Sequence, residues 1–286
     1  MLEDVKELWR YRELLGIMVQ RELRVRYKGS AIGFLWSFLT PLATTVVVTI
    51  VFSVFLKNGI HSYSAYYLSA FLPFMFVQSA ILDSSQSVLS ALPVVKKIYF
   101  PRELLPISNV ISNFIHLVLG FLVFFLYLLF VYIRTPLEFP LQASAIWLPF
   151  LLIVTLMLGM GLSFFASAYN TFYEDVKHLV SVVLYLMFFM CPIMYFVEQV
   201  ANSKINRAPY FWVYKLYLLN PIASLCIAYR KILLAPPPIP APEGKFYPNQ
   251  PLEWQYLAAT TIFSLVVLIW GYATFNRLKW KFVERP

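Results

Sequence analysis

Six stretches of the chain run close to the length of a bilayer crossing without one charged residue: 31–56, 65–82, 107–133, 144–169, 179–197 and 257–275. A hydrocarbon core is spanned by about 20 residues of α-helix, and a backbone facing lipid must satisfy its own hydrogen bonds. The runs are continuously apolar rather than alternating, so they read as helices and not as the strands of a barrel. With 60% hydrophobic and only 13% charged residues, and with 26 Phe, 19 Tyr and 7 Trp, the 286-residue chain has more apolar surface than a soluble core can hide. The expected fold is all-α and polytopic: six transmembrane helices within residues 31–286, preceded by an amphipathic segment over 1–30.

A net charge of +9 would suggest nucleic-acid affinity in a soluble chain; in a membrane protein its placement decides. Six crossings leave both termini on one side. That side would hold Lys6, Arg10, Arg12, Arg21, Arg24, Arg26 and Lys28, the basic residues of 93–106, Lys177, and the basic end of the chain. Lys57 and Arg134 alone fall in the short connections opposite. The other opposite-side charges lie in a segment long enough to weaken the rule, so both termini are expected in the cytoplasm and no nucleic-acid partner is expected. The first residues lack a short apolar core with a small-residue cleavage site, so no cleavable signal peptide is expected.

Residues 1–28 read as one amphipathic helix, with Val5, Leu8, Trp9, Leu15, Val19 and Leu23 sharing a face at about 100° per residue. With Lys6, Arg10, Arg21, Arg24 and Lys28 on the opposite face, it is expected to lie in the membrane interface, the alternative being an amphipathic helix packed on protein. Within residues 213–234 the uncharged run 216–229 is too short to cross and is broken at Asn220 and Pro221. They suit a re-entrant hairpin on the outer side that lines the translocation exit. The proline-rich stretch 235–242 reads as an extended spacer.

No P-loop occurs: the only Gly-Lys pair, Gly244-Lys245, is followed by Phe246. Neither HExxH nor GxSxG is present, and Cys191, Cys226, His61, His116 and His178 are scattered. No catalytic residue and no metal site are expected. Glu174 and Asp175 read as a turn that caps a helix, and Asp83 is an isolated acid at a helix end, too shallow and too solitary for proton coupling. The informative segment is the loop 93–106, which displays Ile98, Tyr99 and Phe100 among basic residues between two prolines. Such a loop can dip into the interface or fill a groove on a cytoplasmic partner.

Lys97-Ile98-Tyr99-Phe100-Pro101-Arg102-Glu103-Leu104-Leu105-Pro106 resembles the cytoplasmic-loop motif of type-two ABC exporter membrane subunits. Arg21 to Ser30, followed by Gly33-Phe34-Leu35-Trp36 and Pro41, resembles that family's lead into its first membrane helix. Cys191-Pro192-Ile193-Met194-Tyr195 resembles the end of its fifth helix, with Cys where Ser or Thr is usual. Leu219-Asn220-Pro221-Ile222 with Tyr229-Arg230 resembles its outer re-entrant segment. The four in order point to the polysaccharide-exporting branch, which includes O-antigen and teichoic acid exporters.

The resemblance implies a homodimer in the bacterial cytoplasmic membrane with the substrate path at its interface. Two copies of a separate ATPase would sit beneath, so ATP and Mg²⁺ belong to that partner and this chain needs no cofactor. It also implies a coupling helix seated in the ATPase, formed by Val94, Val95, Lys96, Lys97, Ile98, Tyr99 and Phe100. The cargo would be an undecaprenyl-linked polysaccharide; the alternatives are a drug or simple lipid as cargo, or an integral-membrane enzyme acting on a polyprenyl lipid. Sugar rings have an apolar face and a hydroxyl rim, so a sliding path wants aromatics that stack loosely. Phe34 and Phe38 share one helix face, as do Tyr185 and Phe188, with Tyr195 further along; these five are the path candidates.

Overall fold

A computed structural model describes residues 2–26, 28–30, 33–95, 97–134, 141–207, 209–241 and 245–283. Lys96, the start of the first apolar run at Ala31, and residues 242–244 at the end of the proline-rich stretch lie outside the described residues. Among the described residues β structure is confined to isolated bridges, Leu141 with Leu234 and Pro240 with Phe246. The helices are α1 (Leu2–Arg10), α2 (Arg12–Arg26), α3 (Trp36–Thr49, continued as a π-helical turn Ile50–Phe55), α4 (Tyr63–Val95), α5 (Leu104–Arg134) and α6 (Leu148–Phe172). They are followed by α7 (Val176–Met190), α8 (Val197–Ala201), α9 (Phe211–Leu219), α10 (Pro221–Leu233) and α11 (Trp254–Leu278). Among the described residues five stretches are long and apolar enough to cross a bilayer: Trp36–Phe55, Tyr63–Pro93, Leu104–Arg134, Ala143–Phe172 and Trp254–Phe282.

Three elements differ from the sequence reading. The helix expected over 179–197 ends at Met190 after 15 residues, too short to cross alone. Pro192 is the cause, since it disfavours a helical residue before it, and Cys191 is accordingly extended at φ −84°, ψ 146°. α7 and its extended tail nonetheless run from one end of the bundle to the other. The Lys177 amide donates to Asn170 beside the end of α6, while the Met194 carbonyl accepts from Tyr63 at the start of α4.

The helix expected over 65–82 instead runs 33 residues, Tyr63–Val95. Asp83 does not end it, because that carboxylate is paired with Arg26 of α2 and accepts from Asn113 of α5 at 2.9 Å. The serines beyond it, Ser85, Ser87 and Ser90, return their hydroxyls to carbonyls three residues earlier, at 2.7, 2.7 and 3.1 Å. The loop expected over 93–106 is therefore shorter, Val95 closing α4 and Leu104 opening α5. No helix forms between them among the described residues.

The N-terminal segment is two helices rather than one, separated at Tyr11. Met18 and Val19 are buried, whereas Trp9, Ile17 and Val25 are exposed. Met18 joins Val88, Val95, Leu104, Leu105, Phe164, Phe275 and Phe282 in one apolar cluster, with Leu8, Leu15 and Phe100 packed against it. The first and last helical segments thus meet at the same end of the bundle, the terminal end.

α4 is the central helix, buried along most of its length, and packs on α5, α6 and α10. Its Tyr67, Leu68 and Phe74 anchor the main core together with Phe121, Phe124, Leu151, Leu158 and Tyr229. α6 and α11 approach most closely where Gly161 faces Gly271. A Cβ on Gly271 would stand 2.4 Å from the Gly161 carbonyl oxygen, so only the absence of side chains permits that contact.

Candidate functional site

At the terminal end the connection from α4 to α5 presents Ile98 and Tyr99 to solvent at 63% and 72% exposure. Large apolar side chains this open need either water-free cover or a partner. Phe100 is partly buried against the terminal cluster, and Pro101 and Glu103 are buried. The Tyr99 hydroxyl donates to the Glu7 carboxylate of α1 at 3.3 Å, and that negative charge raises the phenol above its ordinary pKa. Burial lowers the Arg102 guanidinium below its usual value, opposed by the Glu103 carboxylate.

Of the residues expected to make the coupling helix, Val95 is the buried end of α4, while Lys97, Ile98 and Tyr99 form an exposed turn. Lys96 and the Val94 side chain are outside the description.

Two clefts open at the same end. One, of about 410 Å³, lies between α3, α4 and α5 and is lined by Trp36, Thr40, Phe76, Ser79, Asn113 and His116. The other, of about 660 Å³, lies between α2, α4, α5 and α7 and is lined by Asp83, Gln86, Ser90, Asn109, Lys177 and Ser181 among others. Arg26 borders both. Its guanidinium donates to Asn113 Oδ1 at 3.0 Å and is paired with Asp83. The Asp83 carboxylate, unassigned in the sequence reading, is thus half of the post between the two clefts.

The opposite end is organised by the hairpin of α9 and α10, which meet at 80°. The break falls at Asn220 and Pro221. Asn220 Oδ1 accepts from the Ile222 and Ala223 amides at 3.1 and 3.4 Å, and Pro221 takes the first helical position, where its missing N–H costs nothing. Arg230 of α10 is buried. Its Nε donates to Tyr66 O at 3.2 Å and its terminal nitrogens to Tyr195 O and Ile193 O at 2.8 Å each. Beside it Lys231 is paired with Glu198 at 2.6 Å. The sequence shows Arg230 only as part of a motif; an arginine closing the uncharged run 216–229 was the available signal.

The path candidates with described side chains lie in different surroundings. Tyr185 is 59% exposed on α7 and stacks edge-on with Phe189 at 5.3 Å. Phe188 turns inward against Phe74 and Phe71, at 5.5 and 6.2 Å. The Tyr195 hydroxyl donates to the last carbonyls of α7, Met190 at 2.7 Å and Phe189 at 3.2 Å. Phe38 is partly buried on α3, and the Phe34 side chain is outside the description. Among the described residues no three His, Cys, Asp or Glu side chains converge as metal ligands.

Long apolar helices around a buried α4, with a solvent-facing aromatic turn at one end, define a multi-pass integral membrane protein. The sequence has no P-loop to make it its own motor. The ABC-2 type transporter family matches residues 13–234, and the chain belongs to it. It is therefore a transport subunit. The chain is also similar to the O-antigen export system permease protein RfbA of Klebsiella pneumoniae, 26% identical over 273 residues, covering 95% of this chain and 94% of that protein. A second RfbA, from Myxococcus xanthus, is 27% identical over 284 residues, covering 99% of each.

Proposed function

We propose that this chain is the membrane-spanning subunit of an exporter that moves a lipid-linked polysaccharide of the O-antigen kind out of a bacterial cell. It works as a homodimer with two copies of a separate ATPase, which holds ATP and Mg²⁺. Two observations support the cargo: relatives named for O-antigen export align along nearly their whole length, and Tyr185 offers an open ring for sugar stacking. The observation that carries the division of labour is the exposed Ile98 and Tyr99 turn at the end where both terminal segments meet.

In this reading the terminal end faces the cytoplasm of the cell and the sixth crossing is α7 with its extended tail. α9 and α10 form a re-entrant hairpin at the outer exit. α1, with Trp9 exposed, rests in the membrane interface while Leu8 and Met18 dock on protein. Nucleotide-driven movement of the ATPase would press on residues 97–100 and bias the helices behind them. The test is co-expression with the cognate ATPase. The wild-type pair should copurify in detergent and support ATP-dependent export, whereas Lys97→Glu with Tyr99→Ala and Phe100→Ala should lose export. A variant that exports normally would remove the coupling assignment.

A further inference from the structure

The turn that bears Ile98 and Tyr99 is fastened at its far end to the last segment of the chain. Glu103, 2% exposed, is paired with Lys279 at 2.6 Å, and Arg102 donates to the Lys279 carbonyl. The Trp280 ring lies under both cations, 5.9 Å from Arg102 and 5.2 Å from Lys279. Phe282, fully buried, wedges this segment against Phe275 and Phe172 at 5.4 and 5.7 Å. The segment continues directly from α11, which is locked to α6 through Gly161 and Gly271. Without that anchor, a turn between two long helices could flex in place and absorb a push.

Trp280 is itself 62% exposed and shares a cleft of about 170 Å³ with Glu7, Ile98, Tyr99, Phe100 and Arg102. Lys97 and Lys281, next in the chain to Ile98 and to Trp280, are both exposed and put positive charge at the edge of this cleft.

We propose that Lys279 and Trp280 are the mount of the coupling turn: the Glu103–Lys279 pair delivers the ATPase's displacement to α11 and α6. Trp280 completes, with Ile98 and Tyr99, a single docking face for an acidic-rimmed groove on that ATPase. The proposal rests on the exporter reading above. Lys279 and Glu103 are positioning residues in it, since they touch neither nucleotide nor cargo. Removing one member leaves a buried charge unpaired, whereas exchanging the two keeps the pair.

The permease and its ATPase are purified together as wild type, Glu103→Gln, Lys279→Met, the exchange E103K with K279E, and Trp280→Ala. ATP hydrolysis, ATP-dependent export and affinity of the two subunits are measured on each. Expected are single variants that keep the complex and hydrolyse ATP within about twofold of wild type but export about tenfold less, with export recovering in the exchanged pair. Trp280→Ala, compared with wild type at a matched melting midpoint in detergent, should weaken ATPase binding about tenfold.

Normal export by both single variants overturns the mount. So does loss of export that merely follows loss of folded complex and is not rescued by exchange. Wild-type affinity in Trp280→Ala overturns the shared docking face. Failure of the wild-type subunits to associate at all would instead sink the exporter reading, which keeps the two failures distinct.

Discussion

The Arg230 guanidinium lies 4.5 Å from the centroid of the Phe196 ring while its nitrogens hold the carbonyls of Tyr66, Ile193 and Tyr195. One side chain therefore ties α10 to α4 and to the non-helical tail of α7, whose carbonyls have no helical partner of their own. Hydrogen bonds from a charged donor are each worth about 1.5–3 kcal/mol, and orphaned carbonyls add a penalty. Arg230→Ala should lower stability by at least about 3 kcal/mol. Arg230→Lys should recover only part, because an ammonium cannot reach three diverging acceptors and stack on a ring at once. Thermal unfolding in detergent reads this directly; an unchanged midpoint in Arg230→Ala would refute the role.

Why this staple was not legible is plain from its partners, which stand more than thirty residues from Arg230 in the chain, at Tyr66, Ile193 and Tyr195. Spans are legible because run length and lipid chemistry fix them locally: four of the five long helices begin and end within a few residues of their apolar runs. The exception, α4, overran its run because Asp83 found Arg26 and Asn113, a tertiary event that no hydropathy pattern contains. α7 fell short for a local reason that was available, Pro192. The exposed turn was visible as a composition, but its mount on Lys279 joins residues 176 positions apart.

The contact of Gly161 with Gly271 predicts a steep cost for small additions. A methyl on Gly271 meets the Gly161 carbonyl oxygen at 2.4 Å, and one on Gly161 meets the Leu268 amide nitrogen at 2.6 Å, both backbone atoms that cannot swing away. Forcing α6 and α11 apart should cost about 1–3 kcal/mol for either alanine variant. The double variant should cost less than the sum, since the helices need separate only once. A detergent melting series on the two single variants and the double checks both statements, and strict additivity would count against a shared contact.

Tyr185 and Phe188 separate conduit from core. Tyr185 is open and Phe188, partly buried, packs on Phe74, so Tyr185→Ala should leave the melting midpoint nearly unchanged, whereas Phe188→Ala should cost about 1–3 kcal/mol. If sugars slide along this face, Tyr185→Ala should nevertheless reduce surface polysaccharide severalfold, measured against the amount of folded permease in the membrane. Equal polysaccharide per folded permease would remove Tyr185 from the path and favour a cargo without sugar rings.

The post formed by Arg26 and Asp83 predicts an effect on access rather than on stability. Both side chains are about a third exposed, so the pair itself contributes under about 1 kcal/mol, and Arg26→Gln should melt close to wild type. What changes is the wall between the two clefts, since Arg26 borders each and is held by Asn113 on one side and Asp83 on the other. A cysteine placed at Ser79, inside the cleft of α3, α4 and α5, would report on it, because the native Cys191 and Cys226 are fully buried. Labelling of Ser79→Cys by a charged, membrane-impermeant thiol reagent supplied from the terminal side should quicken severalfold in the Arg26→Gln background. High salt should quicken it in the otherwise wild-type chain by screening the partly exposed pair. Identical labelling rates with and without Arg26 would mean that the clefts are separated by packing alone.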